Sequence, residues 1–169
     1  MFIPVILGTA REGRASEHAA KFVLKEVASS GHETELIDVR DYLWGVTTPG
    51  WANNPRTKAW QEIASRADAF IIVSPEYNHG YPGELKILLD GAMPEYAKKP
   101  VGICGVSVGG LGGARMVEQL RLVTIELGMY PTKMAVYFSS IGKLFGTDGV
   151  ITDESYQKRV QDLIKEVAA

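Results

Sequence analysis

Apolar residues gather in five short runs: Phe2–Leu7, Glu33–Val39, Ala69–Val73, Pro100–Val106 and Lys133–Phe138. A short, nearly continuous apolar run bounded by turn residues reads as a strand buried on both faces, the signature of a parallel sheet. Glu33–Val39 alternates more loosely, with Leu36, Ile37 and Val39 apolar, and reads as a less buried strand. Between the runs the period changes. Ala20, Val23, Leu24 and Val27 recur at helical spacing, as do Leu85, Leu88, Leu89 and Ala92, and again Val160, Leu163, Ile164 and Val167. Trp60–Ala67 carries a shorter helical pattern and Ala114–Leu127 a longer one. Strands alternating with helices predict an α/β chain with one doubly wound sheet, in the strand order 2-1-3-4-5. The stretch Asp41–Pro55, with its Pro, Gly and two Trp residues, reads as an irregular insert that serves as a lid or as a plain surface loop.

Three of the strand-to-helix connections are dense in Gly, Pro and hydroxyl residues. The first is Gly8-Thr9-Ala10-Arg11-Glu12-Gly13-Arg14-Ala15-Ser16. Backbone N–H groups, hydroxyls and the positive end of a helix suit a phosphate there, with Thr9, Arg11, Arg14 and Ser16 as the candidate side chains. Gly8 and Gly13 have the spacing of a nucleotide P-loop, but Arg14-Ala15 stands where that motif needs Lys followed by Ser or Thr. No Gly-x-Gly-x-x-Gly occurs in this loop either. A monophosphate fits better than a nucleoside triphosphate or a dinucleotide.

The second loop, Pro75-Glu76-Tyr77-Asn78-His79-Gly80, precedes a helix opened by Pro82-Gly83. The third is Ser107-Val108-Gly109-Gly110-Leu111-Gly112-Gly113. So many glycines cost chain entropy and imply backbone close to a ligand or to other backbone. In a sheet of order 2-1-3-4-5 these loops lie side by side at the switch point, where open α/β sheets bind ligands. One loop prepared for a phosphate and two offering bare backbone to a planar group describe a flavin mononucleotide.

Gly8-Thr9-Ala10-Arg11-Glu12-Gly13-Arg14, Pro75-Glu76-Tyr77-Asn78 with Pro82-Gly83-x-Leu85-Lys86, and Ser107-Val108-Gly109-Gly110 together resemble the NADPH-dependent FMN reductases, over nearly the whole chain. Ile87 stands where that family commonly has asparagine, and the Trp44–Trp51 stretch has no counterpart in the resemblance. The resemblance implies a flavodoxin-like three-layer sandwich. It also implies an oxidoreductase that passes electrons from NADPH or NADH through FMN to a quinone, azo dye, free flavin or metal oxyanion. By the same resemblance Thr9, Arg11, Arg14 and Ser16 hold the phosphate. Pro75, Glu76, Tyr77 and Asn78 line the isoalloxazine, partly through backbone N–H groups. Ser107, Gly109 and Gly110 meet its pyrimidine edge. No protein nucleophile and no metal is called for, because the hydride chemistry belongs to the cofactor.

Bulk composition narrows the alternatives. The 169 residues suit a single domain spanning 1–169, and 46% apolar with 22% charged residues is ordinary for a globular protein. A net charge of −2 supplies no footprint for nucleic acid or an anionic membrane, and it lacks the strongly acidic surface of a flavodoxin-like electron carrier, the competing reading. A signalling receiver domain needs an acidic Mg²⁺ pocket where this chain has Thr9-Ala10-Arg11. No apolar stretch approaches the length of a membrane span and no signal peptide precedes the first run, so the expectation is a cytoplasmic protein. Cys104 is the sole cysteine, which excludes an internal disulfide; set in an apolar strand, it reads as a buried inert thiol. His18 and His32 read as surface residues; His79 sits in the second loop, where contact with a substrate is the lesser reading. Lys86 and Asp90 stand one helical turn apart and read as a solvated pair. The helix Ala114–Leu127 aligns Met116, Leu120, Val123 and Leu127 on one stripe and leaves Leu122 and Ile125 pointing elsewhere. A second apolar surface predicts a homo-oligomer, and the resembling family commonly dimerises through this helix and Leu85–Ala92.

Overall fold

Alternation within each strand divides the molecule into layers. In the computed structural model, which describes residues 1–169, the strands are β1 (Val5–Leu7), β2 (Leu36–Asp38), β3 (Phe70–Pro75), β4 (Pro100–Val106) and β5 (Tyr130–Phe138). All pair in parallel, in the order β2-β1-β3-β4-β5. Val5, Leu7, Ile71, Val73, Cys104 and Val106 point to one face, which α1 (Ser16–Ser29) and α7 (Ser155–Val167) cover. Ile6, Phe70, Ile72, Val101 and Ile103 point to the other, covered by α3 (Pro55–Arg66), α4 (Gly83–Asp90) and α5 (Ala114–Glu126). Trp60 lies fully buried in that second layer and donates its indole N–H to the Tyr96 hydroxyl at 2.8 Å. The predicted flavodoxin-like sandwich is the observed one.

Boundaries moved where local chemistry overrode periodicity. Pro4 has no N–H to give a ladder, so β1 begins at Val5 and Phe2 makes only an isolated bridge to Glu33. At the other end of β2, Asp38 accepts the Arg40 N–H at 3.0 Å and starts a four-residue helix, α2 (Val39–Tyr42), which takes the last residue of the predicted second strand. β5 begins three residues early, and an irregularity between Val101 and Ile103 absorbs the extra length. A short α6 (Ile141–Leu144) follows β5.

The insert after α2 is tied down on α3 and α4. Thr48 and Thr57 share a hydroxyl hydrogen bond of 3.0 Å, and the Gln61 amide donates to the carbonyls of Gly50 (2.7 Å) and Gly91 (2.8 Å). Gly91 caps the carboxyl end of α4, the end remote from the loop that launches this helix. Trp51 is 91% exposed. No helix of the chain is long and apolar enough to cross a membrane.

Candidate cofactor site

Loop one leaves β1 under tension of close packing. The Gly8 N–H donates to the Val73 carbonyl at 2.9 Å, and a Cβ on Gly8 would stand only 3.1 Å from Leu85 and Ser74. Beyond it the N–H groups of Glu12, Gly13, Arg14 and Ala15 donate to nothing, around a left-handed Gly13 at φ +65°. Helix α1 then starts without any side-chain cap. Its first residue, Ser16, buries a hydroxyl that has no partner. Uncapped amides at a helix N-terminus attract anions, and a buried unpaired hydroxyl is costly unless a ligand completes it. Thr9, fully buried, accepts the Arg11 N–H at 3.2 Å and pairs with the Tyr77 hydroxyl at 3.2 Å. Arg11 is exposed, its guanidinium 5.7 Å above the Tyr77 ring.

Arg14, expected at the phosphate, is held in place by protein partners. Its side chain, 3% exposed, gives a two-pronged contact to Asp38 and further hydrogen bonds to the Thr9 carbonyl and to Glu17. Burial works against ionising Asp38, yet the Arg14 hydrogen bonds, the Arg40 N–H and the charges of both arginines hold its carboxyl below the usual range. Burial likewise opposes the Arg14 charge, and the Asp38 and Glu17 partners outweigh it, raising the guanidinium above its ordinary value. Arg14 therefore shapes the loop, pinning it to the end of β2. Arg40, which sequence reading passed over, does the same from outside: it donates to the carbonyls of Ala10 (3.2 Å) and Arg11 (2.7 Å). Glu84, in the first turn of α4, accepts the Ala10 N–H at 3.1 Å. The available signal was the strand order itself, which places Asp38-Val39-Arg40 beside loop one.

Loop two closes as a tight turn. Tyr77 and Gly80 exchange N–H···O bonds of 2.9 and 3.0 Å across Asn78 and His79, whose φ values of +50° and +71° are those of a mirror-image hairpin turn. The N–H groups of Asn78 and His79 are left with no partner at the exposed tip. Pro75 is buried at the end of β3 opposite Val106. Glu76 gives its N–H to the Val106 carbonyl at 2.9 Å and turns its carboxylate inward, 4% exposed, to Arg115 Nε (2.6 Å) and the Met116 N–H (3.3 Å). Burial raises that carboxyl, but Arg115 and the Met116 amide more than compensate and hold it below the usual range. Glu76 thus supports the turn with its side chain.

Glycines in and beside loop three are of two kinds. A Cβ on Gly105 would collide with the Gly112 carbonyl. One on Gly112 would lie 2.7 Å from Tyr137, and one on Gly113 2.8 Å from the Val106 nitrogen. These are forced by packing of loop three and the start of α5 against the sheet. Gly109 and Gly110 differ: a Cβ there meets nothing within 4 Å, and neither has a positive φ. The N–H groups of Val108, Gly109 and Gly110 are also unpaired, while Ser107 spends its N–H on the Phe138 carbonyl (3.1 Å) and its hydroxyl on the Gly109 carbonyl (3.0 Å).

A cavity of about 210 Å³ joins the loops, lined by Arg11, Gly13, Arg14 and Ser16, by Pro75, Glu76 and Tyr77, and by Ser107 and Val108. A wider groove of about 600 Å³ runs along the outer face of α1 between Lys21 and Asp148 and touches none of the three loops. Cys104 is buried beneath the sheet face and burial pushes its thiol far up, consistent with an inert side chain. No group of three metal-binding side chains occurs. An open amide nest with an orphan hydroxyl at one end, and two open-amide loops at the other, fit a phosphorylated planar ligand.

Comparison with known proteins points the same way. The family model for NADPH-dependent FMN reductases matches residues 1–143. An FMN-dependent NADPH-azoreductase of Staphylococcus haemolyticus is 26% identical over 98% of this chain and 92% of its own. A quinone reductase of Pseudomonas putida is 27% identical over 90% and 86%. Among solved structures, the flavoenzyme NAD(P)H:(acceptor) oxidoreductase FerB of Paracoccus denitrificans superposes with a TM-score of 0.84 at 25% identity, over 99% of this chain and 97% of its own.

Proposed function

The chain belongs to the NADPH-dependent FMN reductases, and from that premise we propose that it binds one FMN across the three loops and transfers electrons from NAD(P)H to a small acceptor. The observation that carries this reading is the uncapped α1 with its orphan Ser16 hydroxyl, one strand away from a turn with two free amides. The Glu12–Ala15 amides, Ser16, Thr9 and the exposed Arg11 would take the phosphate, with Arg14 and Arg40 keeping the loop in shape. The Pro75–Asn78 segment, with the free amides of Asn78 and His79, would border the isoalloxazine, and Ser107, Gly109 and Gly110 its opposite edge. When bound, FMN supplies the chemistry, taking a hydride from NAD(P)H and giving electrons to the acceptor. The protein's part is to bind and orient it and to leave one face open to two substrates in turn. No side chain is needed as nucleophile or proton donor.

A quinone, an azo dye, a free flavin or a metal oxyanion is the acceptor class that the relatives' names support. The enzyme reading is preferred to an electron carrier because the net charge is only −2. A homo-oligomer is part of the proposal: Leu122 (70%) and Ile125 (56%) of α5 are exposed, with Leu111 and Met93 nearby in sequence to the same helices. The lone, buried Cys104 suits the reducing cytosol in which we place the protein.

The reading is tested by reconstitution with FMN and rapid mixing with NADPH and with NADH. The flavin absorbance should bleach at least as fast as turnover and return on adding a quinone. Absence of bleaching with either nucleotide would leave the carrier reading in its place. Light scattering at micromolar concentration decides the oligomeric state.

A further inference from the structure

We propose that Arg115 is the positioning residue for the Asn78–His79 amide pair, and that it works by holding His79 as the neutral tautomer with its proton on Nδ1. The proposal rests on the assignment of those amides to the isoalloxazine.

Two successive non-glycine residues at positive φ persist only where their surroundings over-determine them. The cross-turn hydrogen bonds of Tyr77 and Gly80 provide part of that restraint, and Arg115 provides the rest. Its Nε donates to Glu76 Oε1 at 2.6 Å and its Nη2 pairs with the same carboxylate. Its Nη1 lies 2.7 Å from His79 Nε2. A guanidinium has donors only, so Nε2 must offer its lone pair, and the ring proton of His79 sits on Nδ1. One planar group thereby grips the residue before the turn and the second residue of its tip. A lysine would reach one partner as a point charge and could not set both directions.

The root of Arg115 is equally fixed. It stands in the first turn of α5, just after Gly112 and Gly113, whose bareness is forced by Tyr137 and Val106. Arg115 therefore transmits the position of loop three to loop two. Backbone donors beside a flavin favour its more electron-rich, reduced state, so a turn released from Arg115 lowers the midpoint potential as well as the affinity.

The test begins on the apoprotein. Nitrogen-15 NMR of wild type should show His79 with a pyridine-type Nε2, and Arg115→Ala should shift the ring signals together with the Asn78 and His79 amides. Because that variant strands a buried carboxylate, it is also made with Glu76→Gln, which keeps the fold testable. With flavin, Arg115→Ala should weaken FMN and riboflavin by the same factor, about tenfold, and lower the potential. Arg115→Lys should not restore either. His79→Gln, which retains an acceptor, should stay near wild type where His79→Leu follows Arg115→Ala. Wild-type flavin binding with unchanged riboflavin affinity, potential and amide resonances in both Arg115→Ala backgrounds overturns the proposal alone. A wild type that binds neither flavin overturns the site assignment and the proposal with it.

Discussion

Removing the Ser16 hydroxyl should move apoprotein stability and FMN affinity in opposite directions. In the apoprotein the Ser16 oxygen is buried without a partner, a state that costs about 1–3 kcal/mol for a polar group. Ser16→Ala relieves that cost. A net gain of about 1 kcal/mol translates into roughly 2–4 °C in Tm for a chain of this size. Once a phosphate is present the same hydroxyl becomes a charge-assisted donor worth about 1.5–3 kcal/mol, so FMN should bind roughly ten- to a hundredfold more weakly to the variant. Riboflavin, which lacks the phosphate, should bind both proteins alike. Differential scanning calorimetry of the apoproteins and fluorescence titration with the two flavins measure all three quantities. A lower apoprotein Tm together with unchanged FMN affinity would refute the reasoning.

Arg11 and Arg14 should separate cleanly: Arg11→Ala weakens FMN without changing apoprotein Tm, whereas Arg14→Ala strands a partly buried Asp38 and costs about 3 kcal/mol of stability; thermal melts of both apoproteins check this, and equal melts would contradict it. Gly109→Ala should leave the apoprotein melt unchanged and reduce flavin affinity, while Gly105→Ala, which collides with backbone, should lower the melting temperature whether or not flavin is added. Asp38 titrates below its ordinary 3.8 in the folded protein, so the unfolded chain binds the proton first and the stability from this pair, complete above that value, is lost as the pH falls through the folded pKa; urea titrations across the acid range should show a shallower loss in Asp38→Asn, and an identical acid profile would exclude the pair as its source.

The fold was legible because burial on both faces writes itself into short apolar runs. Ile71 and Val73 against Phe70 and Ile72 need no partner information to read as a central strand. The three loops were legible for the same reason, since glycine and proline punctuate the carboxyl ends of β1, β3 and β4. Side-chain destinations were not. Asp38, the carboxylate that holds Arg14, lies 24 residues further along, so a linear reading does not pair them. Arg115, which takes the Glu76 carboxylate, is 39 residues away on a helix, so the pair is equally invisible in sequence. Likewise the glycines of loop three look alike in sequence, and only the space around each divides those forced by packing from Gly109 and Gly110.

The two layers of the core begin from different loops. Loop one launches α1, which belongs to the layer it shares with α7, whereas loops two and three launch α4 and α5 on the opposite face. A molecule bridging both would act as a strap across the sheet, so that neither layer could loosen without releasing it. Hydrogen exchange in the apoprotein should then resolve two separately opening units, one containing α1 and α7 and the other α3 to α5. With FMN in place they should merge into a single unit that opens only on global unfolding.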